Sequence, residues 1–306
     1  MNRPTAPRVT ALVPCYNGEA TLALALDSAL AQSYDALEVV VVNDGSTDRS
    51  RDIAHAYAER SAGRVRVVDQ PNAGLPAARN AAIDAARGDF FALLDADDRW
   101  LPQHLERSMA ILDADPSVGL VHANVECIDA DGMSLGAQPR SWRPHDDAYR
   151  TLLLRHEHVC CPSAVFRRRC IEQVGAFDTR FTGLGCEDRD LWLRIAERYR
   201  LHYIDDVLVQ YRIHAASMSR NRERMRRARL ALIDKVAQTP RGAPLARHAL
   251  AMIESDLGME FLEEGDFRRA LRLQFSALRI RPHTPRIWRR LLRPAASLVG
   301  TAVLGF

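Results

Sequence analysis

The sequence predicts a doubly wound α/β domain, a mostly parallel sheet with helices on both faces, followed by a small all-α region at the C-terminus. Three observations carry this. Continuous Val and Leu runs alternate with segments of helical apolar spacing across the first hundred residues, the pattern of strands covered on both faces. Four such runs end on polar residues, at Pro14–Asn17, Asn43–Ser46, Gln70–Gly74 and Asp95–Asp98, the strand ends where ligands bind in sheets of this kind. From about Ser219 the character turns helical and basic, so residues 1–218 read as one domain and 219–306 as a helical appendage.

VTALVPCYN is the first strand, and GEATLALALDSALAQ is a helix with Leu22, Leu26 and Leu30 on one face. LEVVVVNDGS is the second strand, and TDRSRDIAHAYAER a helix with Asp48 or Thr47 as its N-cap. VRVVDQ gives the third strand, AGLPAARNAAIDAARG a helix closed by Gly88, and DFFALLDADD the fourth strand. Beyond residue 115, VGLVHANVECIDADG reads as strand and turn, SAVFRR as a strand, EDRDLWLRIAERY as a helix and HYIDDVLVQYRIH as a strand. RNRERMRRARLALIDKVAQ is helical, and LGMEFLEEGDFRRALRLQFSALRIRP resembles one tetratricopeptide unit, two short helices meeting at Gly265–Asp266.

With 47% hydrophobic and 26% charged residues, the chain has the material for a packed core, which excludes a disordered protein. Its net charge of +3 hides an asymmetry, because residues 220–306 hold 18 Lys and Arg against 8 Asp and Glu, and the remainder 24 against 31. An acidic front part suits a substrate handled through a cation. A basic tail suits either an anionic membrane surface or a solvated arginine-rich face; no nucleic-acid partner is expected. All six cysteines precede residue 190 without a C-x-x-C pair, and MNRPTAPRVT carries no secretory signal, so free thiols in a reducing cytoplasm are expected. No apolar run reaches the ~20 residues of a membrane span. AASLVGTAVLGF, behind Arg289, Arg290 and Arg293, is long enough only to dip into an interface.

FFALLDADDRW stops an apolar run on Asp95, Asp97 and Asp98. Carboxylates on one turn repel each other unless a cation is bound, so a divalent metal is expected, Mg2+ or Mn2+, which favour carboxylate and phosphate oxygens. Asp98 reads instead as the N-cap of a helix near Leu101–Pro102. The first loop lacks G-x-G-x-x-G and the chain has no G-x-x-x-x-G-K-[ST], so if a nucleotide binds, its phosphates are met by something other than a glycine-lined helix N-terminus, the candidates being a metal on the aspartates and an arginine such as Arg79. Trp192 shares helical spacing with Ile195 and is expected in the core. Trp100 and Trp142 are candidates for stacking on sugar rings.

VPCYNGE, VVNDGSTDRS, NAGLPAARNAA, LLDADD and GCEDRDLWLRI, in this order, resemble the motifs of a family 2 glycosyltransferase with the GT-A fold, over roughly residues 8–216. The resemblance implies inverting, metal-dependent transfer of a sugar from a nucleotide sugar, with a uridine nucleotide leading, to a glycan or lipid-linked acceptor of cell-surface polysaccharide synthesis. It implies Asp97 as metal ligand, and Asp95 on the ribose or the metal's waters. Pro14, Tyr16, Asn17 and Glu19 would surround base and ribose, with Asp44 on the base, Asn72 at the third strand end and Arg79 near the diphosphate. Glu187 and Asp188 match the family's E-D pair, in which the aspartate is the general base. YRIHAAS resembles the family's closing pattern, with His214 completing the metal shell and Arg212 adding positive charge. The implied location is cytoplasmic, with peripheral contact to the inner membrane surface through the basic C-terminal region. Two rival readings are a sugar nucleotidyltransferase, which needs a glycine- and lysine-rich first loop, and a catalytically weak scaffold whose helical tail recruits partners.

Overall fold

The computed structural model describes residues 7–138, 147–154, 159–214 and 221–291. Trp142, Ser217, Arg293 and the AASLVGTAVLGF segment lie outside the described residues. Two compact units divide the chain, Met1–Leu152 with His156–Arg220, and Leu153–Arg155 with Asn221–Phe306.

In the first unit, β1 (Val9–Cys15), β2 (Leu37–Asp44), β3 (Val65–Gln70) and β4 (Phe90–Leu93) run parallel in the order β3-β2-β1-β4. Every residue of β1 and β2 is buried, whereas β3, at the sheet edge, is mostly half-buried. Alternation sends Val9, Ala11, Val13, Val39 and Val41 to one face, against Leu22, Ala25 and Leu26 of α1 (Leu22–Leu30) and Ala54 and Tyr57 of α2 (Ser50–Arg60). The opposite face meets α3 (Leu75–Ala85), whose Ala78, Ala82 and Ile83 are buried. Helices thus cover both faces, as expected.

Past β4 the sheet becomes mixed, more so than the sequence pattern suggests. β5 (Arg99–Trp100) and α4 (His104–Ala114) lead into β6 (Val118–Ile128), and β7 (Ser134–Gln138) folds back on β6 as a hairpin. After α5 (Ala148–Leu154), β8 (Val165–Arg167) inserts antiparallel between β4 and β6. α6 (Arg168–Val174) and α7 (Glu187–Ala196) precede β9 (Arg200–Arg212), which pairs parallel with β6 and antiparallel with β5.

Three local expectations need correction. The residue capping α2 is Arg49, and Asp48 acts one position earlier, its Oδ1 accepting the Ser50 N–H at 2.9 Å. α3 ends at Ala85, and Ala86 is already extended, so Gly88 does not close the helix. Gly88 is required by close approach to β1, because a Cβ there would lie 2.8 Å from both the Arg8 carbonyl oxygen and the Thr10 nitrogen. Trp100 is no sugar platform either. It is buried, and its Nε1–H donates to the Pro162 carbonyl at 2.7 Å. Trp192 is in the core, as its spacing predicts.

The second unit contains α8 (Arg222–Val236), α9 (Ala243–Glu263) and α10 (Phe267–Ile280). α9 and α10 meet at Gly265–Asp266, with Gly265 at φ +80° and the Asp266 carboxylate accepting the Arg269 N–H at 3.0 Å. α9 has 21 residues, longer than the short helix expected. No helix among the described residues is long and apolar enough to cross a membrane.

His104, the first residue of α4, is fully buried against the Trp100 ring at 5.2 Å, and neither ring nitrogen has a hydrogen-bond partner among the described residues. Burial pushes its pKa down to about 3. Because the folded value is depressed, the stability from the neutral ring is complete above about pH 6.5, the unfolded value, and is lost as pH falls towards 3. His104→Phe should remove about 1.4 kcal/mol per pH unit from the acid-side slope. The check is the difference in urea unfolding free energy between variant and parent across mildly acidic pH; parallel curves would contradict it.

Candidate active site

The strand order reverses at β1, whose neighbours are β2 and β4, so the crevice for a ligand lies at the carboxyl ends of β1 and β4. Pro14 sits just past the last β1–β4 partner pair, Leu12 with Leu93, where the two strands part. Beyond it Tyr16 is 53% exposed. Asn17 adopts φ +52°, a left-handed conformation that asparagine tolerates better than most residues.

The loops after β1 and β2 are hydrogen-bonded together. Asn17 donates its N–H to Ser46 Oγ at 3.1 Å, and its Oδ1 accepts the Thr47 N–H at 2.8 Å. Glu19 donates its N–H to Asp48 Oδ2 and accepts the Arg49 N–H at Oε2, both at 3.0 Å. Asp44 organises the next loop: its Oδ1 accepts Gln70 Nε2–H at 2.7 Å and Ala73 N–H at 2.8 Å, and its Oδ2 accepts Gly74 N–H at 2.9 Å. Gly45, at φ +71°, lets the backbone of exposed Asn72 approach, since a Cβ there would lie 2.6 Å from the Asn72 nitrogen.

Arg79 is the centre of the site. Only 2% of its side chain is exposed, so it is not the surface helix residue its surroundings in sequence suggest. Nη2–H donates to Asp95 Oδ1 at 2.8 Å and Nη1–H to Glu187 Oε1 at 2.7 Å, while the guanidinium carbon lies 5.4 Å from the centre of the Phe177 ring. Burial alone would disfavour the cation, but the groups around it, Cys161, Asp95, Glu187 and Asp188, raise its pKa far above the ordinary arginine value. Burial likewise lifts the Glu187 carboxyl, and Arg79 opposes that rise.

The Asp95–Asp98 turn holds a second cluster. Asp98 is 1% exposed and does not cap α4, whose cap residue is Gln103; its Oδ1 instead accepts the Arg212 backbone N–H at 2.7 Å. Burial, with Asp97 and Asp95 nearby, pushes its pKa well above the carboxylate range. Arg212 ties this turn to the β6–β7 hairpin, donating Nε–H to the Asp97 carbonyl at 2.9 Å and Nη1–H to the Asp129 and Ala130 carbonyls at 2.8 and 2.7 Å. Asp97 Oδ2 lies 3.0 Å from His214 Nε2. Among the described residues no three His, Cys, Asp or Glu groups converge into a complete metal cage. A carboxylate oxygen beside an imidazole nitrogen nevertheless fits a hard divalent cation that takes its remaining ligands from phosphates and water.

α7 begins after Cys186, at φ +67°, and puts three carboxylates in its first turn. Glu187 is taken by Arg79, and Asp190 by Arg194 at 2.8 Å. Among the described residues Asp188 has no arginine within ion-pair distance, and its Oδ1 accepts the adjacent Arg189 N–H at 2.7 Å. Sequence reasoning missed the neighbours Cys161 and Phe177, and did not foresee that Arg212, besides its charge, clamps three carbonyls. Cys161 lies in the field of Arg79, Asp95, Asp188 and Glu187; the Cys-Cys-Pro run offers no periodic signal for that position.

The model of glycosyl transferase family 2 matches residues 10–175. An uncharacterized glycosyltransferase of Nostoc is 30% identical over 217 residues, 69% of this chain and 66% of that protein. A putative glycosyltransferase of Bacillus subtilis, EpsH, is 32% identical over 69% of this chain and 62% of its own length. A Rickettsia felis relative, 31% identical, is matched over only 35% of its length, so the chain spans between one third and two thirds of such relatives. Among solved structures, the Pyrobaculum calidifontis mannosyltransferase PcManGT, in complex with GDP-Man and Mn2+, superposes with TM-score 0.66 at 25% identity, over 98% of this chain and 81% of that one. Staphylococcus aureus TarS in complex with UDP-GlcNAc gives 0.64 at 18% identity, over 94% and 85%, and shares the fold.

Arg79→Met should destabilise the protein by about 3–5 kcal/mol, because two buried or half-buried carboxylates lose their cation. Chemical unfolding reads this directly, and a loss below about 1 kcal/mol, the value of an exposed pair, would remove Arg79 from the centre of the site.

Proposed function

The chain belongs to glycosyl transferase family 2, and on that premise we propose an inverting, metal-dependent enzyme that moves a sugar from a nucleotide sugar to a glycan or lipid-linked acceptor in cell-surface polysaccharide synthesis. That it is a glycosyltransferase follows from the family itself. It also sets aside the nucleotidyltransferase reading, and the turnover test below decides between an active enzyme and a catalytically weak scaffold. The observation that carries the finer reading is the double ion pair of Arg79. One arm holds Asp95 in the turn of Asp97, and the other holds Glu187 next to Asp188, so leaving-group and base functions are fixed from one guanidinium.

Asp188 is the proposed general base. Among the described residues it is the carboxylate at the start of α7 without an arginine ion pair, so its oxygen is available to take the proton of an acceptor hydroxyl as that oxygen attacks the anomeric carbon. A single base with no second carboxylate acting as nucleophile means one displacement and inversion, by the logic that holds for hydrolases. Glu187 orients the base turn. Arg79 holds Asp95 and Glu187 with two of its five N–H donors, which leaves donors for the nearby diphosphate. Pro14, Tyr16, Asn17, Glu19 and Asn72 border the nucleoside, and Asp44 retains one of its four acceptor positions for the base. Mg2+ or Mn2+, held by Asp97 and His214 with Asp95 reaching its waters or the ribose, would neutralise the departing diphosphate. A uridine nucleotide leads; a guanosine donor is the second reading, favoured by the similarity to a mannosyltransferase in complex with GDP-Man. A cytoplasmic site of action, with the basic C-terminal region against the inner membrane surface, completes the proposal.

The test is nucleotide release by the purified protein with Mn2+ or Mg2+ across UDP-, GDP- and dTDP-sugars, with a cell extract as acceptor source. Metal-dependent release from one donor is expected. Asp97→Ala should abolish it, and Asp188→Asn should lower kcat about 10²–10⁴-fold with donor affinity kept. Full turnover in Asp188→Asn would sink the assignment of the base; release of GDP alone would overturn the uridine preference.

A further inference from the structure

We infer that the outward face of α10, with the segment that follows it, is a docking surface for an anionic phospholipid bilayer. The inward face of the helix is settled by packing: Ala270, Gln274, Ala277 and Leu278 are buried. Gln274 Nε2–H donates to the Ser255 carbonyl of α9 at 2.8 Å and its Oε1 accepts the Ser255 hydroxyl at 2.9 Å. Gly258 of α9 permits this approach, since a Cβ there would lie 2.8 Å from Gln274 Nε2.

The helical period then places Arg268, Arg272, Phe275 and Arg279 in one row on the opposite side, and all four are exposed. Residues 267–291 contain eight arginines and no Asp or Glu. Of these, Arg269 pairs with Asp266 and Arg290 with Asp256. Arg268, Arg272, Arg279, Arg281, Arg286 and Arg289 have no acidic partner among the described residues, which leaves the α10 row and the segment after it with uncompensated positive charge.

Two aromatic side chains are exposed along this stretch, Phe275 at 53% within the row and Trp288 at 50% in the segment after it. A merely solvated arginine face gains nothing from an exposed phenylalanine at the middle of its row. At a lipid surface, guanidinium groups meet headgroup phosphates while aromatic rings enter the acyl boundary. The row follows one straight helix for about 16 Å, which suits a flat sheet of headgroups; single-stranded nucleic acid is tracked in a charged groove lined with stacking rings. The inference deepens the membrane contact proposed above. Vesicle binding is read without sugar nucleotide, so its failure and the failure of the transferase reading are separate results.

The experiment is sedimentation of the full chain with phosphatidylcholine vesicles, with and without phosphatidylglycerol, at low and high salt. Binding is expected only with the anionic lipid, weakening as salt rises. Arg268→Gln, Arg272→Gln and Arg279→Gln should each lower partitioning about fivefold, the combined variant about a hundredfold. Phe275→Ser should lower it several-fold with the charge unchanged, and circular dichroism should match the parent throughout. Equal binding to both vesicle types, or full binding by the triple variant, would overturn the inference. So would retention on RNA lost in the triple variant without any vesicle binding, which would assign the face to a polyanion.

Discussion

The guanidinium of Arg79, held between Asp95 and Glu187, is the interaction from which the rest of the site takes its geometry. Two carboxylates are brought close together in a poorly hydrated place, an arrangement that repels itself without a cation. Arginine answers this better than lysine, because its planar fork offers two separate nitrogens and stays charged when buried. Glu187 is separated from Arg79 by 108 residues, so this contact also fixes the start of α7 onto the parallel half of the sheet. Its two carboxylates belong to different turns, one after β4 and one at the start of α7, which is why one residue can set the distance between them.

A second level of order comes from backbone groups. Asp44 holds the 70–74 loop through the Ala73 and Gly74 N–H groups, and Arg212 holds the Asp97, Asp129 and Ala130 carbonyls. Both side chains satisfy peptide groups at loops that a parallel sheet leaves without ladder partners. The polar strand ends are therefore cross-linked by hydrogen bonds within the chain itself. Asn17, Glu19 and Asp48 serve the same end between the first two loops.

The polar residues that bind and those that build are interleaved. Asp95, Asp97 and Asp98 occupy four consecutive positions with Ala96, yet one pairs with a buried arginine, one meets a histidine and one accepts a backbone N–H. Composition cannot sort them, and neither can spacing. The cap expected at Asp98 failed because α4 begins two residues later than supposed, after β5 has paired with β9.

Much was decided by the chain itself. Runs such as LEVVVVND and the leucine spacing of α1 are local consequences of periods 2 and 3.6, so the parallel half of the sheet, its helices and its four polar strand ends were legible, as was the order of the motifs. The turn at Gly265–Asp266 was legible for the same reason, glycine being permissive and aspartate a cap. Only the tertiary structure decided that Arg79 is buried, that Gly88 serves a close approach rather than a helix end, that Trp100 is spent on Pro162, and that Arg212 is a clamp. Each of these depends on a partner far along the chain, and pairing across such distances leaves no periodic trace in sequence.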